Sequence, residues 1–166
     1  LLGIGKAEAI RKINNKYIIW PWTVNHAGKS MFFDTKKQMR NYVFKNLKKD
    51  DFNIDVGCMQ INIKWHKNNF KKIADMFEVS PNISYAASFL LQLKNKHGSW
   101  DKAIKRYHSS DPKKNIPYLI KVKSFWKKLE SDKIIKAKTI KHESLTKTNQ
   151  VSLANMIKER QPYLFE

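Results

Sequence analysis

Apolar residues along this chain keep two rhythms. Leu1, Leu2, Ile4, Ala7 and Ile10 recur at the spacing of one helix face and predict a short helix over 1–13, weakened by Gly3 and Gly5. The stretch "YIIWPWTVN" is instead aromatic and β-rich, and Pro21 interrupts it. "WTVN-HAGK-SMFF" predicts a hairpin over 23–33, with two β-favouring runs around a four-residue turn containing Gly28. The helical rhythm then returns. Thr35 is placed to cap a helix over 36–48, with Met39, Tyr42, Val43 and Leu47 inward. "KDDFNIDVG" reads as turn, and a helix over 66–77 packs Phe70, Ile73, Ala74 and Phe77.

Pro81 punctuates before the clearest helix, over 83–96. There Ile83, Ala86, Ala87, Leu90 and Leu93 keep the 3.6-residue period and Gly98 stops it. Ser99 caps the next helix, which carries Trp100, Ala103, Ile104 and Tyr107. A last core helix is expected over 117–129, with Pro117 in its first turn. From 127 to about 148 the chain is lysine-rich and thinly apolar, which predicts a mobile or surface-lying tail. "VSLANMIKERQPYLF" regains the helical period and is a candidate to dock back. The outline is α+β, predominantly helical, with one small hairpin: a domain over 1–129 and a basic extension over 130–166. There are no internal repeats.

Composition sharpens this outline. The chain has 166 residues, 42% of them hydrophobic and 12% aromatic, enough for one buried core. No apolar run is long enough to cross a bilayer. Lys and Arg total 33 against 14 acids, a net charge of +19. That excess suits an anionic partner or surroundings: nucleic acid, lipid head groups or an acidic polymer such as cell wall. An AT-rich coding sequence would also enrich Lys and Asn. Cys58 is the single cysteine, so no intramolecular disulfide forms. The chain begins at Leu1 without a complete signal peptide, and a processed N-terminus is expected.

Candidate chemistry is sparse. Glu8 lies among apolar and small residues, where a carboxyl is held neutral and can act as a general acid. The same residue also reads as an exposed helix glutamate balancing Lys12 at i+4. Tyr107, in "KRYHSS", reads either as a phenol that positions a carboxyl or as a core tyrosine with a wet tip. His66 and His108 lack zinc-site spacing, and Cys58 with His108 is weak evidence for a thiol–imidazole pair. No dinucleotide-binding, P-loop, nucleophile-elbow or nucleic-acid motif is present.

One run remains unusual: "DVGCMQIN" is compact, nearly uncharged, and ends in two amides within a basic chain. Together "IGKAE", "WPWTVNHAGKSMFFDT", "IDVGCMQIN", "NISYAASFLLQLKNKHGSWDKAIKRYHS" and "YLIKV" follow the order found in soluble lytic transglycosylase domains of the lysozyme-like superfamily. Over about residues 1–125 the chain resembles the branch with an "IDVGCMQIN" centre, which is similar to secretion-system-associated peptidoglycan transglycosylases.

The resemblance implies a lysozyme-like fold and a carbon–oxygen lyase acting on peptidoglycan. Glu8 would be the lone catalytic acid. Gly57 would let backbone approach the sugar, Met59 would supply an apolar wall, Gln60 would hydrogen-bond an N-acetylated sugar, and Asn62 would brace the loop. Asn82 and Tyr107 would complete the substrate-binding set, Tyr107 touching the acid. Glu8 would protonate the oxygen between N-acetylmuramic acid and N-acetylglucosamine. The substrate's acetamido group would stabilise the cationic carbon, and the muramoyl 6-hydroxyl would close on it to give a 1,6-anhydro end. The resemblance implies no metal or cofactor, glycan strands as partner, an anionic envelope surface as a further one, no specific nucleic acid, a monomer, and a periplasmic or cell-envelope location.

Two departures stand out. Ala9 and Ile10 replace the family's Ser and Gly after the acid, and the helix the family places before the acid's helix has no counterpart here. A non-catalytic peptidoglycan-binding relative therefore stays open. So does a muramidase with Asp55 as second carboxylate, and the charge keeps nucleic-acid binding open.

Overall fold

The computed structural model describes the backbone of residues 1–159 and the side chains of residues 1–136. The architecture is α+β and mostly helical, with six α-helices and two small sheets among the described residues.

Helix α1 is Leu2–Ala9, shorter than the expected 1–13. The backbone becomes extended at Ile10, and strands β1 (Ile10–Ile13) and β2 (Lys16–Ile19) form a hairpin that apolar spacing did not predict. Its turn is Asn14 and Asn15, with φ of 46° and 61°. Asparagine tolerates this left-handed region, and two such residues suit the tight turn between twisted strands. Lys12 thus lies on a strand, so the i+4 helix pairing with Glu8 does not exist.

Strands β3 (Thr23–His26) and β4 (Lys29–Phe32) form the expected hairpin, but its loop is two residues, Ala27 and Gly28, rather than four. "KDDFNIDVG" is only partly turn, because Ile54–Val56 is strand β5. It pairs with β3 and with the two-residue β6 (Ile61–Asn62), giving the order β4-β3-β5-β6.

Helix α2 is Lys36–Leu47. Thr35 Oγ1 accepts from the Gln38 amide at 3.2 Å and Gln38 Oε1 accepts from the Thr35 amide at 3.1 Å, a reciprocal cap. The expected helix over 66–77 is broken into a short α3 (Ile63–His66) and two 3₁₀ turns, Lys67–Asn69 and Ile73–Phe77. Helix α4 is Val79–His97, so Pro81 lies inside its first turn, where its missing N–H costs no helical bond. It ends at Gly98, and α5 (Trp100–His108) starts from Ser99, whose hydroxyl accepts the Lys102 amide.

Helix α6 is Pro112–Glu159, with Pro112 at its first position and Pro117 inside it. The stretch expected as a loose tail is therefore helical. Between Tyr118 and Glu159 there is no Gly or Pro, and Lys, Leu, Ala and Glu are good helix formers. The helical pattern after Val151 continues to Glu159, and the expected docking of that segment lies outside the described side chains. The chain divides into two units, one of Leu1–Trp126 and one beginning at Lys127.

In the first unit the core joins Ile4 of α1, Val24 and Val56 of the larger sheet, Met39 and Val43 of α2, Ala86 and Leu90 of α4, and Val122 of α6. A Cβ on Gly3 would lie 3.0 Å from the Val122 carbonyl oxygen, so α1 and α6 approach at backbone distance. Among the described residues no helix is long and apolar enough to cross a membrane.

Candidate active site

The close approach of α1 and α6 builds the site's first half. Contacts run from Gly3 with Val122 through Ala7 with Lys121 to Glu8 with Tyr118, so the helices are antiparallel along this seam. Lys121 Nζ donates to the Ala7 carbonyl at 2.7 Å, meeting a helix end where carbonyls lack partners and positive charge is favoured. Tyr118 Oη donates to Glu8 Oε1 at 2.6 Å.

Glu8 keeps one edge open but is otherwise surrounded by protein. Burial pushes its carboxyl up to about 7; the Tyr118 hydrogen bond opposes this, the charge of Asp55 adds to it, and Lys121 opposes it. Tyr118 is itself pushed far up by burial and by the charge of Glu8, so it remains a phenol and a donor. His108 stacks flat on Tyr118, with centroids 4.2 Å apart and planes 5° apart.

The "DVGCMQIN" run forms the second half, as the turn between β5 and β6. Gly57 has φ +81°, and a Cβ there would lie 2.5 Å from Asn82 Nδ2 and 2.8 Å from Asn82 Oδ1. Glycine is required at this position on both counts. Asn82 accepts from the Met59 amide at 3.0 Å and donates to the Val56 and Met76 carbonyls, each at 3.0 Å. Tyr107 Oη donates to the Met59 carbonyl at 2.8 Å. Gln60 has φ +49°, and its Nε2 donates to Thr23 O at 3.2 Å and Gly57 O at 2.9 Å. A left-handed non-glycine residue costs roughly 1–2 kcal/mol, and these bonds hold it there. Among the described residues Gln60 Oε1 has no protein partner. Asn62 Nδ2 donates to Asp55 Oδ1 at 2.8 Å and Asn53 Oδ1 at 3.1 Å. Burial raises the Asp55 carboxyl, and the Asn62 bond opposes it.

This geometry reassigns several roles that the resemblance implied. Asn82 is 1% exposed and holds the turn from below, so it offers no surface to a substrate. Gly57 makes room for Asn82 rather than for a sugar. Met59 is 3% exposed, and it is its backbone that anchors Tyr107. Asn62 braces the turn by fixing Asp55. The phenol that reaches Glu8 is that of Tyr118, while Tyr107 donates to Met59 and senses Glu8 only through its charge. Cys58 and His108 do not pair: the buried thiol contacts Asn82 Oδ1 at 3.6 Å and burial raises its pKa.

Tyr118 and Lys121 are the site residues missed in the sequence. The signal was present in "YLIKV", where Tyr118 and Val122 share one helix face and Lys121 borders it. Ala9 is fully buried and brings no hydroxyl, and the hydroxyl that reaches Glu8 is that of Tyr118 on α6. Among the described residues no group of three or more His, Cys, Asp or Glu is arranged to hold a metal ion. Comparison of the chain with protein-family models, with curated proteins and with solved structures gives no match.

The arrangement has the means for proton transfer. One carboxyl near pH 7 is poised to give and regain a proton, and a phenol orients it.

Proposed function

We propose that the chain is a peptidoglycan lytic transglycosylase with a lysozyme-like fold, acting in the bacterial envelope. The observation that carries the reading is Glu8 itself, a carboxyl raised to about 7 by burial and hydrogen-bonded by Tyr118, on the helix where a Cβ on Gly5 would lie 3.7 Å from Met59 Sδ of the turn. A general acid with a pKa near the working pH is partly protonated and still strong enough to donate.

In this reading protonated Glu8 gives its proton to the glycosidic oxygen between N-acetylmuramic acid and N-acetylglucosamine, and the C1–O bond breaks. The acetamido carbonyl of the same sugar shares the positive charge at C1, so no second carboxylate is needed. Glu8, now anionic, takes the proton of the muramoyl 6-hydroxyl as that oxygen bonds to C1. The products are a 1,6-anhydro end and a free 4-hydroxyl, and Glu8 is protonated again. Tyr118 holds the carboxylate in the intermediate stage, when its hydrogen bond is strongest.

Digestion of purified sacculi by the wild-type chain and by Glu8→Gln tests this reading. Soluble muropeptides are expected only from the wild type. Binding of sacculi without release by either chain would indicate a glycan-binding protein.

Asp55 supports a second reading, a muramidase. It is a half-buried carboxyl whose charge acts on Glu8, and a second acid of that kind can activate water. Its hydrogen bond from Asn62 ties it to the turn, which favours the one-acid reading.

A further inference from the structure

His108 takes no part in the proton transfer described above, and it does not pair with Cys58. Its ring lies flat on Tyr118, with centroids 4.2 Å apart and planes 5° apart. Tyr118 is buried and donates to Glu8 Oε1 at 2.6 Å. The imidazole thus backs the phenol that reaches Glu8.

The backbone places this stack. His108 is the last residue of α5, and the chain turns extended at Ser109. Asn115 is buried near the start of α6, and its Nδ2 donates to the Ser109 carbonyl at 3.1 Å. Asn115 and Tyr118 are three positions apart on one helix face. The amide that pins the end of α5 and the phenol that His108 covers are therefore carried side by side. Ser109 Oγ accepts from the Asp111 amide at 3.1 Å, and Asp111 Oδ1 accepts from the Lys113 amide at 2.9 Å, which ties down the link between the two helices. His108 itself is an exposed residue outside the buried core.

A tyrosine's Oη lies on the axis about which its ring turns, so rotation of the ring leaves the oxygen in place. It changes where the proton points, because conjugation keeps a phenol O–H in the plane of its ring. The torsion that sets this plane has broad wells, so side-chain preference alone leaves it loose. A hydrogen bond weakens steeply as its angle closes. A flat ring against Tyr118 narrows the plane and keeps the O–H in line with Glu8. The stack does this without adding charge at neutral pH. Partial burial, then the charges of Lys121 and Lys114 on α6, lower the His108 pKa. The groups that act on Glu8 are Tyr118, Asp55 and Lys121.

We propose that His108 is a positioning residue, whose ring fixes the plane of Tyr118 and so aims the phenol O–H at Glu8. The proposal rests on the reading of Glu8 as the acid and deepens it.

The test follows the Glu8 carboxyl by carbon NMR in the full chain, with its resonance identified by its loss in Glu8→Gln. His108→Ala is expected to move the Glu8 titration upward by about half a unit, part of the shift that losing a whole hydrogen bond to a charged group gives. His108→Phe keeps a flat ring and is expected to hold the titration at the wild-type value. In a Tyr118→Phe background no O–H remains to be aimed, so adding His108→Ala should produce no further rise. A titration that His108→Ala leaves unmoved or lowers overturns the proposal. So does a His108→Phe chain that shifts as far as His108→Ala. An equal rise with and without the Tyr118 hydroxyl also overturns it, because His108 would then act on Glu8 by charge or solvent access. Wild-type digestion of sacculi separates this from the enzyme reading. The expected shifts in a chain that leaves sacculi uncut remove the enzyme and keep the positioning role, and cleavage with an unmoved titration removes the positioning role alone.

Discussion

Tyr118 donates a 2.6 Å hydrogen bond to Glu8 across 110 positions of sequence. It joins the last turn of α1 to the second turn of α6, and it opposes the burial that lifts the Glu8 carboxyl to about 7.

Removing that bond therefore raises the pKa of Glu8 further. A hydrogen bond to an ionised group is worth about 1.5–3 kcal/mol, and each pKa unit is 1.36 kcal/mol. Tyr118→Phe is expected to move the Glu8 titration upward by about one unit, followed by carbon NMR of the labelled carboxyl. An unmoved titration would show that the phenol does not tune the acid.

The raised pKa has a stability consequence with a definite sign. Between about 4.5 and 7 the folded chain holds a proton on Glu8 that the unfolded chain has lost. Stability from this group is present below that window and is lost as pH rises through it. The loss is on the order of 3 kcal/mol at most, because Glu8 keeps an open edge. Glu8→Gln is expected to be more stable than wild type at pH 8, with the advantage vanishing near pH 4. Denaturant unfolding at both pH values checks this.

The turn that carries Gln60 depends on one buried amide. Asn82→Ala leaves the Val56 and Met76 carbonyls and the Met59 amide without their partner, at a cost of about 1–3 kcal/mol for each group left unpaired. Gly57→Ala is also destabilising, through its positive φ and its collision with Asn82. In the double substitution the collision is gone, so the two losses are expected to add to less than their sum. Thermal unfolding of the four chains measures the coupling.

Asp55→Asn removes a charge that raises Glu8. The Glu8 titration is expected to move downward, while the anhydro product is kept. A switch in product identity would instead assign Asp55 a direct role.

The helices with explicit end signals were legible in sequence. Thr35, Gly98 and Ser99 marked the ends of α2, α4 and α5 because their side chains or φ values do the capping. The β1 and β2 hairpin was not, because Ile10 continues the apolar spacing of α1 and only the backbone change at that residue ends the helix. Strands β5 and β6 are three and two residues long, too short for alternation to register, and are held by pairing to β3 and to each other. Within the site, Glu8 and the glycine turn stood out by composition. Which tyrosine reaches Glu8 did not, since both lie on apolar helix faces and the choice follows from how closely Gly3 lets α6 approach.

The most direct test of the one-carboxylate account is the mass of the sugar ends released from purified peptidoglycan in water enriched in heavy oxygen. Closure by the muramoyl 6-hydroxyl uses no water, so the products are expected to carry 1,6-anhydro ends, one water lighter than hydrolysed ends and free of label. Reducing ends that carry the heavy oxygen would mean that water is the nucleophile, and would contradict it.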